Sequence, residues 1–172
     1  MTDSLDRAEK QTRHASNILR AMTNVKDQNN RQQLDNQVIA CHKILEARGI
    51  RPITALLLCH IDRIKFNAIA TVHSLLICFD QHPQAAEPTK QEIREEGGVE
   101  TMVELLKTDN VKLLTILTDC LRILATKNQQ TKDVILARNG PRILVDIMQS
   151  RHQEYKNLIL MTARLLKGKP PQ

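Results

Sequence analysis

Gly49-Ile50-Arg51-Pro52-Ile53-Thr54-Ala55-Leu56-Leu57, Gly98-Val99-Glu100-Thr101-Met102-Val103-Glu104-Leu105-Leu106 and Gly140-Pro141-Arg142-Ile143-Leu144-Val145-Asp146-Ile147-Met148 are three versions of one segment. Each opens on glycine and carries apolar residues four, seven and eight positions later. The glycines stand 49 and 42 residues apart. A period in this range marks stacked helical repeats. Such repeats bury a shared core and leave an extended concave surface, which typically binds a partner and carries no chemistry.

The flanking sequence divides into helices around these segments. Apolar spacing predicts a long helix over residues 9–23, centred on Ala15, Ile18, Leu19 and Met22. A polar connection spans residues 24–30, followed by a helix over 31–47 that Gly49 ends as a left-handed cap. A short helix over 52–59 tolerates Pro52 in its first turn. Asp62 then caps a long helix to residue 79, with Ile64, Ala68, Val72, Leu75, Leu76 and Phe79 as its core side. Residues 80–90 hold Pro83 and Pro88 and read as a loop before a weak acidic helix over 91–96. Further helices follow over 100–107, 111–126, 130–137, 142–148 and 153–167.

Leu19, Val72, Leu121 and Leu166 fall in register at the apolar ends of the long helices. The organisation expected is therefore one array over 1–172. It comprises a trailing long helix at 9–23, three-helix repeats at 31–79, 90–126 and 130–168, and a tail at 169–172. Three helices per unit of about 42 residues is the armadillo pattern, an all-α right-handed superhelical solenoid. An array lacking capping units exposes apolar surface at both ends, so association is expected.

Composition agrees with this class. Hydrophobic residues make up 41% and charged residues 26%, a globular balance, while aromatics at 2% are too few for a typical β-sandwich core. No apolar run approaches the roughly 20 residues that cross a bilayer, and the N-terminus lacks the basic start and apolar stretch of a signal peptide. Cys41, Cys59, Cys78 and Cys120 form no Cys-x-x-Cys pair and sit in apolar helical contexts, which points to a reducing compartment, cytoplasm or nucleus. Cys41-His42 and Cys59-His60 lie on different helices, whereas zinc needs convergent ligands, so neither a metal nor a cofactor is expected. No nucleophile motif, phosphate loop or carboxylate pair suggests catalysis. The net charge of +6 favours an acidic partner; the absence of Trp and the scarcity of other aromatics weaken the case for single-stranded nucleic acid.

Several segments carry a resemblance: Phe66-Asn67-Ala68-Ile69-Ala70-Thr71-Val72-His73-Ser74-Leu75-Leu76, then Asn110-Val111-Lys112-Leu113-Leu114, Thr118-Asp119-Cys120-Leu121-Arg122-Ile123-Leu124-Ala125, Asn128-Gln129, Lys132 and Gly140-Pro141. Here the chain resembles the β-catenin family over its second to sixth repeats. The match is close from Phe66 onward and looser before residue 60. The resemblance implies a scaffold that binds cadherin tails and T-cell-factor-type transcription factors, in cell adhesion and Wnt signalling, in the cytoplasm, the nucleus and cell junctions. It implies that Lys132 anchors a partner aspartate or glutamate and that His73 faces the groove. The chain departs from the family at Asn67 and Thr126, where tyrosines are expected, at Ser74, where a groove asparagine is expected, and in longer linkers at 24–31 and 80–89.

At 100° per residue, Lys112, Asp119, Arg122 and Thr126 form one stripe opposite Leu114, Leu117, Leu121 and Leu124. Lys156 and Arg164 take the same place on the last long helix, opposite Leu158, Met161 and Leu165. Third helices line the groove of an armadillo stack, so these cations, with Lys132 nearby, would meet Asp, Glu or phosphoserine of an extended peptide. His73, Ser74 and Asn67 occupy the polar side of the preceding long helix. Two alternatives stay open. An importin-α-like cargo reader would show regular groove tryptophans, and this chain has none. A nucleic-acid-binding solenoid would bind any polyanion with strong salt dependence.

Overall fold

The computed structural model describes residues 2–24, 29–80 and 83–149. Every regular element among them is helical: α1 (Thr2–Thr23), α2 (Arg31–Glu46), α3 (Ile50–Ala55) with a 3₁₀ turn at Leu56–Leu58, α4 (Asp62–Asp80), α5 (Pro83–Glu95), α6 (Gly98–Leu105), α7 (Val111–Ala125), α8 (Gln129–Ala137) and α9 (Gly140–Gln149). The helices pack as two compact units, Met1–Glu96 and Gly97–Gln172. The expected last long helix, with Lys156, Arg164 and Leu166, lies outside the described residues.

Asparagine starts a helix three times. Asn30, Asn110 and Asn128 each adopt extended backbone, and their side-chain oxygens accept from the backbone N–H of Gln33 (3.1 Å), Leu113 (3.1 Å) and Thr131 (2.8 Å). Each cap satisfies a donor that the helix itself leaves open. Asp62 is instead the first helical residue of α4, where its carboxylate faces the positive end of the helix dipole.

In the first unit α4 is the central element, and α1, α2, α3 and α5 all pack on it. All six residues expected on its core side are buried, with Ile69 at 0% exposure beside them. In the second unit α7 packs on α6 and α8, and α8 carries α9. Leu114, Leu117, Leu121 and Leu124 are buried as their spacing predicts, but Leu113, Thr118, Asp119, Cys120, Ile123 and Ala125 are buried too. The covered arc of α7 is therefore wider than a two-sided reading allows.

Two expectations are corrected. Residues 83–95 are helix, not loop. Pro83 opens α5, where its missing N–H costs nothing, and Pro88 withdraws only one internal donor. Compensation comes from buried Ala86, Thr89 and Ile93, from the Thr89 hydroxyl donating to Ala85 O (2.7 Å), and from an Arg94–Glu87 ion pair (2.9 Å) that bridges the proline. The first helix leaves apolar surface open, as expected of an uncapped end. Ile18 is 59% and Met22 49% exposed, while Ser16 and Thr23 are buried. α1 meets α4 through hydrogen-bonding side chains.

The second correction concerns the glycine that defines the repeat. The left-handed residue is the one before it: Arg48 (φ 53°), Gly97 (φ 71°) and Asn139 (φ 60°). Arg48 N donates to Leu45 O and Gly49 N to Ile44 O, both at 2.8 Å, which is the double closure of a Schellman turn. Gly49 itself has ordinary helical backbone (φ −73°). It is glycine because a Cβ there would sit 2.7 Å from Ile44 Cγ2 and 2.9 Å from Ile44 O; at Gly140 the same atoms of Ile135 would be 2.5 and 2.7 Å away.

The two neighbouring positions should therefore respond with opposite signs. Gly49→Ala forces backbone apart and should destabilise by about 1–3 kcal/mol. Arg48→Gly relieves a left-handed non-glycine residue and should be neutral or stabilising by up to about 1 kcal/mol. Urea midpoints of the two variants, at constant m-value, check this. A stability loss at Arg48→Gly as large as that at Gly49→Ala would refute it.

Candidate functional site

Two polar helix faces carry the residues singled out in the sequence, one in each unit. In the second unit the face is built on α7 and the first turns of α8. Asn110 starts α7 and so places Lys112 in its first turn, exposed. Two turns later Asp119 is buried at 7% exposure, and Arg122 Nε donates to Asp119 Oδ1 at 2.7 Å. Thr126 follows exposed at the helix end, its hydroxyl bonded to Arg122 O (2.7 Å). α8 packs on α7, and its Asn128 cap brings Lys132 into the second turn, half-buried.

The stripe is thus not uniformly basic. Arg122 is matched by a buried carboxylate on its own helix, so its charge is largely spent inside the protein. Lys112 and Lys132 make no ion pair with any described residue. They are the cations of this face left to meet an external anion. Arg138, at the end of α8, is paired with Glu104.

On α4, in the first unit, His73 and Ser74 are half-buried on the outward strip, one turn beyond Ala70. Asn67 departs from its expected place. It is fully buried (0% exposed), and its amide donates to Ser16 Oγ (3.2 Å) and Asn17 Oδ1 (2.7 Å) while its carbonyl accepts from Arg20 Nη1 (3.2 Å). The Arg20 guanidinium also lies 4.6 Å from the centre of the Phe66 ring, close enough for a cation–π contact. Asn67 therefore locks α1 to α4 and offers nothing to a ligand. Helical spacing places a side chain on an arc but cannot say whether a second helix covers that arc. Arg20 and Phe66 were not singled out in the sequence, and only the packing of α1 on α4 brings them together.

Among the described residues no three His, Cys, Asp or Glu side chains converge as a metal site requires, and no helix is long and apolar enough to cross a membrane. The arrangement offers recognition chemistry: two unpaired ammonium groups, hydroxyls, and an imidazole on helix faces.

No protein-family model matches the chain. It is 37% identical to catenin beta of Urechis caupo over 157 residues, covering 87% of this chain and 18% of the relative. It is 39% identical to junction plakoglobin of Homo sapiens over 124 residues, 72% of this chain and 15% of the relative. The chain thus spans less than a fifth of the length of these relatives. Among solved structures, one reported for a phosphorylation switch in the interaction between cadherin and beta-catenin superposes with a TM-score of 0.67 at 22% identity, over 96% of this chain and 33% of the other. An engineered protein superposes with a TM-score of 0.61 at 19% identity, over 88% and 60%. The fold is the armadillo-repeat fold.

Replacing Asn67 with Leu should cost about 1–3 kcal/mol of stability, because it leaves Ser16, Asn17 and Arg20 without their partner. Chemical denaturation measures this. An unchanged midpoint would return Asn67 to the list of surface residues.

Proposed function

This chain is an armadillo array of the β-catenin family, and from that premise we propose that it is a protein-interaction module for acidic, extended peptides. The partner class that fits is the acidic segment of a cadherin tail. The observation that carries the reading is the pair Lys112 and Lys132, which no described carboxylate neutralises, on the packed α7–α8 face of a chain with net charge +6. Lys132 keeps the residue type that the resemblance implies.

The energetics constrain how such a module works. An exposed ion pair contributes at most about 1 kcal/mol. Affinity must then be the sum of many weak contacts along the peptide, and part of it is offset by ordering a disordered partner. Arg122 contributes less than its charge suggests, because Asp119 already holds it at 2.7 Å. His73 and Ser74 supply hydrogen-bonding contacts on α4. T-cell-factor-type segments, and with them a role in Wnt signalling, share the acidic chemistry and extend the same reading. Work at cell junctions, in the cytoplasm or in the nucleus fits the four free thiols and the junctional relatives.

Titrating a fluorescent acidic cadherin-tail peptide at two salt concentrations tests this directly. Saturable binding is expected. Lys132→Ala and Lys112→Ala should each weaken it by up to about fivefold, and Arg122→Ala by less. RNA or polyglutamate binding equally well, with the same salt slope, would replace the peptide reading with a general polyanion surface.

A further inference from the structure

The four cysteines do not share one environment. Cys120 is fully buried in α7, and burial together with the Asp119 charge pushes its thiol well above the ordinary range. Cys59 ends the 3₁₀ turn, half-buried. Cys41 and Cys78 stand 37 residues apart in sequence but meet where α2 packs on α4. The residues that follow them also meet: the His42 and Phe79 rings touch edge-to-face with centroids 5.1 Å apart. The two thiols are near enough to shift each other, Cys41 upward and Cys78 downward, and both are buried, Cys41 with no exposed surface and Cys78 at 9% exposure. Phe79 and Ile44, buried next to them, hold both helices in place.

We propose that Cys41 and Cys78 are a peroxide-oxidisable dithiol that closes into a disulfide tying α2 to α4. Hydrogen peroxide meets Cys78 first, because Cys78 keeps a small exposure of 9% while Cys41 has none. Its sulfur attacks one peroxide oxygen, the O–O bond breaks, and water leaves, giving the Cys78 sulfenic acid. Cys41 sulfur then attacks Cys78 sulfur; the S–S bond forms, the S–OH bond breaks, and the Cys41 proton leaves with the hydroxyl as a second water. Two thiols are oxidised and one peroxide is reduced to two waters. The hydrogen bond from Cys41 favours the Cys78 thiolate, which makes it the more reactive partner, and the same bond, with burial, raises Cys41.

The modification has a place in the fold. Cys78 lies one turn beyond Ser74 on α4, so the crosslink would fasten the helix that presents His73 and Ser74 to the helix behind it. The pair can close whether or not the chain binds a peptide.

The test uses the full chain treated with hydrogen peroxide, alkylated, digested without reduction and analysed by mass spectrometry. A linked Cys41–Cys78 peptide lighter by two hydrogens is expected, with Cys59 and Cys120 recovered as alkylated thiols. Cys41→Ser should stop the reaction at a Cys78 sulfenic acid that dimedone traps, and circular dichroism of that variant verifies its fold. Recovery of Cys41 and Cys78 as free thiols, or links involving Cys59 at similar yield, would overturn the proposal.

Discussion

Each unit depends on one long helix that is covered around most of its circumference, α4 in the first and α7 in the second. Such a helix must be apolar on more than a stripe, and each polar side chain it does carry must find a partner before water can reach it. The structure meets that demand from the same helix and from its neighbour. The Thr71 hydroxyl donates to Asn67 O and the Thr118 hydroxyl to Leu114 O, both 2.9 Å and both one turn back. Asn67 takes its partners from α1, and Asp119 takes Arg122 from the next turn. What remains outward on each helix is a narrow strip, which carries the candidate site together with Lys132 of α8.

The turns between helices serve the same end. A left-handed residue followed by one without a Cβ lets the chain reverse against the carbonyl of the helix it is leaving, as Gly49 does over Ile44 and Gly140 over Ile135. That close approach keeps the short second helix tight on its neighbours. Non-glycine residues occupy the left-handed position at Arg48 and Asn139, so the fold accepts a modest backbone strain there in exchange for the tight reversal.

Charge is distributed by the same logic. The molecule carries a formal +6, but much of the local basicity is matched within the fold: Arg13 by Glu9, Arg94 by Glu87, Arg122 by Asp119 and Arg138 by Glu104. Lys112 and Lys132 stand apart from these pairs. A recognition surface made of a few unmatched charges on an otherwise balanced face can discriminate by position, which a uniformly basic face cannot.

The sequence by itself determined the all-helical class, the period of its repeated segment, and the core side of α4 and α7. These follow from the spacing of apolar residues along one chain, and Ile64 through Phe79 and Leu114 through Leu124 are buried as that spacing requires. It also marked Lys112 and Lys132 by their residue type and place. Only the tertiary structure decided which arcs a second helix covers. Packing turned Asn67 from a surface amide into a buried lock, left Ile18 and Met22 outside, drew Asp119 inward, and made a helix of residues 83–95 despite two prolines. It also brought Cys41 to Cys78. Each of these depends on contacts between residues distant in sequence, and periodicity along a single helix carries no information about those contacts.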